Sequence, residues 1–123
     1  MRPDDLVRLK HMQDATASAL RFVDGRSRQD LDSDEMLLFA LVRAVEVIGE
    51  AASKVSAAGR AELPDIRWAA IVGMRNRLVH AYADVDRDIL WSTVLDELPG
   101  LRSRLGQALR VFARPGGAPG SSV

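Results

Sequence analysis

The sequence predicts an all-α fold, an antiparallel bundle of four to five helices, on three observations. Apolar residues recur three and four positions apart along nearly the whole chain. No segment shows the sustained alternation of a half-buried strand. At 123 residues and 47% hydrophobic composition the chain has material for one core, and a domain of this size buries roughly two-thirds of its unfolded surface. One domain is expected over residues 1–113. Residues 114–123 carry Pro115-Gly116-Gly117-Ala118-Pro119-Gly120-Ser121-Ser122, with almost nothing to bury, and are expected to form a disordered tail.

Taken in order, the first helix is expected from about Asp4 to Val23, burying Leu6, Leu9, Met12, Thr16, Leu20 and Val23, with Asp24-Gly25-Arg26-Ser27 as the turn after it. The second should begin at Asp32 or Ser33, either of which can cap free N–H groups, and stop near Gly59. Its apolar residues, among them Met36, Phe39, Leu41, Val45 and Ile48, cover more than one stripe, as in a helix packed on two sides. Arg43, Glu46, Glu50 and Lys54 interrupt them at spacings of three and four, close enough to pair along one face. That stripe is either a solvated or dimer-rim face, or a support that holds a functional arginine.

The third helix is expected from an N-cap at Asp65, through Trp68, Ile71, Met74 and Leu78, to about Tyr82. The fourth should start near Asp86 and carry Ile89, Leu90, Trp91, Val94, Leu95 and Leu98. Pro99-Gly100 should then kink or break it before Leu101, Leu105, Ala108 and Phe112 resume the period.

Composition narrows the function. Without cysteine there are no disulfides, thiolate metal sites or cysteine nucleophiles. The start of the chain has no apolar run and no stretch approaches the ~20 apolar residues of a membrane span, so a cytoplasmic protein is expected. Seventeen basic residues balance seventeen acidic ones, which leaves no overall field to attract RNA or an anionic membrane. The most basic stretch holds Arg102, Arg104, Arg110 and Arg114 without an acid; phosphate contact and a solvated helix face explain it about equally well. With only His11 and His80 and no tight carboxylate cluster on one helix face, no metal site and no cofactor are expected.

The chemistry concentrates in Met74-Arg75-Asn76-Arg77-Leu78-Val79-His80-Ala81-Tyr82. On a regular helix, with Arg75 at zero, Asn76 falls near ~100°, His80 near ~140° and Tyr82 near about −20°, all off the core stripe of Ile71, Met74 and Leu78. Asn76, four residues before His80, could hydrogen-bond one ring nitrogen and fix the tautomer. Arg75 and His80 diverge too far to converge easily on one phosphate, so either the helix is distorted near His80 or two copies share the site, and a two-fold dimer is the more economical choice. Each residue alone also has an ordinary explanation: an arginine paired with a carboxylate such as Asp84 or Asp86, a satisfied histidine, a partly buried tyrosine.

Together these residues resemble the RNxxxHxY form of the Rx4–6H motif of HEPN ribonucleases, specifically the HepT toxins. The resemblance extends through Arg43-Ala44-Val45-Glu46-Val47-Ile48-Gly49-Glu50-Ala51-Ala52, Pro64, Ile66, Trp68, Gly73, Val85-Asp86, Ile89-Leu90-Trp91 and Leu98-Pro99, about residues 4 to 112. Ala81 departs from it, since such proteins often carry glycine there. The resemblance implies a HEPN-like helical domain acting as a metal-independent endoribonuclease on tRNA or mRNA. It further implies the toxin of a type II or type VII-like toxin–antitoxin pair, a homodimer or higher even oligomer, without membrane association. Arg75, Asn76 and His80 would be catalytic, supported by Arg43, Glu46 and Glu50, and a minimal nucleotidyltransferase antitoxin would attach AMP to Tyr82. Two other classes fit the same residues: a non-catalytic nucleotide- or RNA-binding helical module, and a structural partner subunit of a nucleotidyltransferase. A binding module would keep its affinity after His80→Ala, whereas a nuclease would lose its activity.

Overall fold

The computed structural model describes residues 1–81 and 84–113, with the backbone alone at positions 80 and 81. The expected tail at 114–123, Arg114 included, and Tyr82 lie outside the described residues.

Helix α1 (Pro3–Val23) starts with proline in its first turn, where a missing N–H costs nothing, and with Asp4 and Asp5 at the positive end of the dipole. Leu9, Met12, Thr16, Ala19 and Val23 form its buried stripe. Thr16 is fully buried, and its hydroxyl donates to the Met12 carbonyl at 2.7 Å, so the only polar group of that stripe is satisfied within its own helix. The chain reverses at Gly25, whose φ of +71° suits a residue without Cβ.

A helix expected to run unbroken from Asp32 or Ser33 to Gly59 is three pieces: α2 (Asp30–Ser33), α3 (Glu35–Ser53) and α4 (Ala57–Ala61). Asp34 is the cap. Its Oδ1 accepts from Leu37 N–H at 3.1 Å, and Arg26 reaches its other oxygen at 2.7 Å, which holds the carboxyl below its ordinary pKa. At the far end Arg60 closes α3, donating through Nη2 to the carbonyls of Ala52 (3.1 Å) and Ser53 (3.3 Å) and through Nε to that of Val55 (3.2 Å). Ser56 then caps α4, its hydroxyl accepting from Gly59 N–H at 3.0 Å.

Asp5 joins this corner to α1. Its buried carboxylate accepts from Ser56 N–H (2.8 Å) and Ser56 Oγ (2.7 Å), and a Cβ at Gly59 would stand only 2.6 Å from Oδ2. The Ser56 amide, outweighing burial, depresses the Asp5 pKa. Asp5→Ala, leaving buried donors without an acceptor, should lower the unfolding free energy by ~1–3 kcal/mol in denaturant titration. Because the folded-state pKa is the lower one, this contribution is complete above the unfolded value near ~3.9 and disappears as pH falls through the folded value. The gap between native chain and variant should therefore close on acidification.

The expected third helix also differs. The segment is α5 (Trp68–Val72) and α6 (Met74–Leu78), parted at Gly73, and the helix stops four residues short of Tyr82. Val79–Ala81 is strand β1, paired antiparallel with β2 (Asp84–Val85). The β-branched Val79 and Val85 face each other, a cross-strand preference that a three-residue strand is too short to reveal as alternation. Asp65 is not the cap: α5 follows Arg67 without a side-chain cap.

Asp86 caps α7 (Arg87–Ser92), accepting from Ile89 N–H at 3.0 Å. The expected break at Pro99-Gly100 does not occur. A π-helical turn over Thr93–Glu97 leads directly into α8 (Leu98–Phe112), and Pro99 falls in its first turn, where no amide is needed. Helix α1 packs between α3 and α8, while α3 holds α1 on one side and α5 and α6 on the other. Met36 (83% exposed) and Phe39 (62%) of α3 are not buried as the apolar pattern suggested. Among the described residues no helix is long and apolar enough to cross a membrane.

Candidate functional site

The packing of α6 on α3 decides where Arg75 goes. Met74 and Leu78 are buried and anchor α6, which turns Arg75 and Asn76 outward beside the polar stripe of α3. Arg75 Nε donates to Glu46 Oε2 at 2.8 Å, and Arg43 Nη1 lies 3.9 Å from the other Glu46 oxygen. Thus the partner of Arg75 is Glu46, 29 residues away, rather than Asp84 or Asp86. The pair borders an open cleft of about 470 Å³ lined by Glu46, Gly49, Glu50, Ser53, Val72, Arg75 and Asn76. Half of the Arg75 side chain is exposed, and an ion pair at that exposure contributes only about 0–1 kcal/mol, so its main effect is to set the direction of the guanidinium. Nε is the engaged donor. Among the described residues the terminal Nη donors have no protein partner and face the cleft side open to solvent.

His80 is not on this helix. Its backbone belongs to β1, so the i, i+4 relation of Asn76 and His80, and the ~140° divergence from Arg75 that a regular helix imposes, do not apply. The helix end supplies the distortion that the sequence left as one of two alternatives. One chain can then direct both residues to one side. Val79 pairs with Val85 and Ala81 with Asp84, and the register moves by one residue between them, which makes His80 the extra residue of the ribbon. Bulged positions of this kind bend a strand and re-aim its side chain. Tyr82 lies outside the described residues, two positions further on.

The comparisons agree with this arrangement. The family profile described as ribonuclease HepT-like matches residues 12–108, from α1 to α8. The chain belongs to the HepT-like ribonuclease family. A relative named as an RNase in Caldanaerobacter subterraneus subsp. tengcongensis is 33% identical over 102 residues, 83% of this chain and 91% of its own. A protein of Thermococcus cleftensis named as ribonuclease HepT is 34% identical over 92 residues, 72% and 84% of the two chains. Another, named as an RNase in Methanocaldococcus jannaschii, is 33% identical over 82 residues, 63% and 75% of the two chains. No solved structure matches the chain significantly.

For a HepT-like ribonuclease, the site brings together Arg75, Asn76, Glu46 and Glu50 along one cleft, with Arg43 at its edge through Glu46. Arg102, Arg104 and Arg110 are exposed on α8 and do not line it. Gly49, Ser53 and Val72 line the cleft without having been singled out by sequence; their small size and mixed polarity give no local signal. Among the described residues no cluster of three or more His, Asp or Glu side chains is placed to hold a metal.

Proposed function

We propose that this chain is a metal-independent endoribonuclease that cuts tRNA or mRNA, the toxin of a toxin–antitoxin pair whose antitoxin is a nucleotidyltransferase. The observation that supports it most is the Arg75–Glu46 pair, which points a half-exposed guanidinium into a cleft just before the bulge that carries His80, in a chain of the HepT-like ribonuclease family.

RNA brings its own nucleophile. The ribose 2′-oxygen attacks the adjacent phosphorus, the bond from phosphorus to the 5′-oxygen breaks, and a 2′,3′-cyclic phosphate and a 5′-hydroxyl result. One proton leaves the 2′-OH and one reaches the 5′-oxygen, and His80, with an ordinary pKa near ~6.5, carries one of them at neutral pH. The forked donors of Arg75 stabilise the extra negative charge of the phosphorane, and Asn76 adds a neutral donor beside it. Arg43, Glu46 and Glu50 hold Arg75 in place. Two copies form the working unit, with Met36 and Phe39 on the exposed side of α3 as the apolar surface available for that contact.

Adenylylation of Tyr82 would inhibit by adding phosphate charge near Arg75 and filling the place of the RNA phosphate. Incubation with the cognate nucleotidyltransferase and ATP should raise the intact mass by one or more AMP groups, and the Tyr82→Phe variant should keep its mass. The functional reading is tested by incubating total tRNA and mRNA with chain whose Tyr82 is bare by mass spectrometry, in excess chelator. Cleavage is expected; intact RNA in every sample would overturn the reading in favour of a partner subunit.

A further inference from the structure

The ribbon after α6 contains one acidic residue whose position goes beyond the capping of α7. Leu78 and Asp86 face each other across it, the Asp86 N–H donating to the Leu78 carbonyl at 2.7 Å. His80 stands two positions along from Leu78, as the extra residue between the Val79–Val85 and Ala81–Asp84 pairs. Residues diagonal across an antiparallel pair are ~7–8 Å apart, within reach of an imidazole and a carboxylate, and a bulge tightens the local twist further.

Two carboxylates fall within that register, Asp84 and Asp86, and they are held differently. Asp84 is exposed at the outer end of the ribbon. Asp86 is half-buried, with its backbone fixed to Leu78 and its Oδ1 fixed to the first turn of α7. A carboxylate immobilised in this way can orient a neighbouring ring; a solvated one has too much freedom. We infer that Asp86 is a positioning residue for His80: its other carboxylate oxygen accepts the N–H of one imidazole nitrogen and so presents the opposite nitrogen to the RNA. The inference rests on the ribonuclease reading for its purpose, though not for its test. The pairing selects one tautomer in the neutral ring and stabilises the imidazolium that forms when His80 takes a proton.

The other charges around the ribbon have partners of their own. On α6, Arg75 is engaged by Glu46 and Arg77 by Glu97 at 3.3 Å. On α7, Arg87 lies 3.7 Å from Asp32, and Asp88 accepts from Arg28 at 2.7 Å. Asp84 is therefore the competing anion, and it serves as the control.

The test is an NMR titration of the imidazole signals without RNA, in native chain, Asp86→Asn and Asp84→Asn. The chain has two histidines, so His11 on α1 is an internal reference. Asparagine caps helices as well as aspartate does, so Asp86→Asn should keep its melting temperature and remove only the charge. His80 in the native chain should titrate about one pH unit or more above its value in Asp86→Asn, with ring nitrogen shifts reporting one dominant tautomer. His11 should not move, and Asp84→Asn should leave His80 near its native value. An unchanged His80 midpoint in Asp86→Asn, or the shift appearing in Asp84→Asn instead, would overturn the assignment. Because the readout needs no cleavage, a chain without nuclease activity would contradict the functional reading while leaving the Asp86–His80 coupling intact.

Discussion

Replacing His80 by alanine should reduce RNA cleavage by roughly 10²–10⁴ at neutral pH, the span expected when a general acid or base is removed. The side chain belongs to a short ribbon at the edge of the bundle, and the core residues Met74, Leu78 and Leu90 that hold the neighbouring helices are untouched. Far-UV circular dichroism and the melting temperature should therefore match those of the native chain. Retained cleavage in His80→Ala would remove the histidine from the chemistry altogether.

Removing Arg75 should cost nearly as much, about 10²–10³ in cleavage rate, the range found when one preorganised donor to a developing oxyanion is lost. Lysine at this position keeps the charge but has neither the fork nor an Nε to meet Glu46, so Arg75→Lys should recover only part of the activity. Glu46→Ala separates orientation from charge. It keeps the guanidinium and releases its direction, so cleavage should fall less than in Arg75→Ala, while the melting temperature hardly changes because the pair is largely solvated. Equal rates for native chain and Arg75→Ala in single-turnover cleavage would exclude the arginine from the transition state.

The long amphipathic helices were legible because their signal is local. Leu9, Met12 and Thr16 announce the buried face of α1, and the Asp86 cap follows from an acidic residue just before an apolar run. The breaks were not legible where a neighbour distant in sequence decides them. Asp34, rather than Asp32 or Ser33, caps α3 in part because Arg26 also binds it, and helical periodicity carried the reading past Leu78 because pairing of Val79 with Val85 leaves no trace in periodicity. The π-turn that accommodates Pro99 is likewise a compensation made upstream of the residue that requires it.

The site divides in the same way. Sequence named Arg75, Asn76, His80 and the polar stripe of α3, yet left open which carboxylate Arg75 meets, since Glu46, Asp84 and Asp86 were all plausible until α6 was seated on α3. Residue types and spacing show which chemistry is available. The helix end at Leu78 determines how those residues are aimed, and it depends on a strand pair only a few residues long.

The most direct test of the central claim is the chemistry of the cut ends. Total tRNA should be incubated with the unmodified chain in excess chelator and the product termini analysed by mass spectrometry. Metal-independent attack by the 2′-oxygen predicts 2′,3′-cyclic phosphate and 5′-hydroxyl ends that disappear with His80→Ala. Ends bearing 3′-hydroxyl and 5′-phosphate, formed only when a divalent metal is restored, would contradict it.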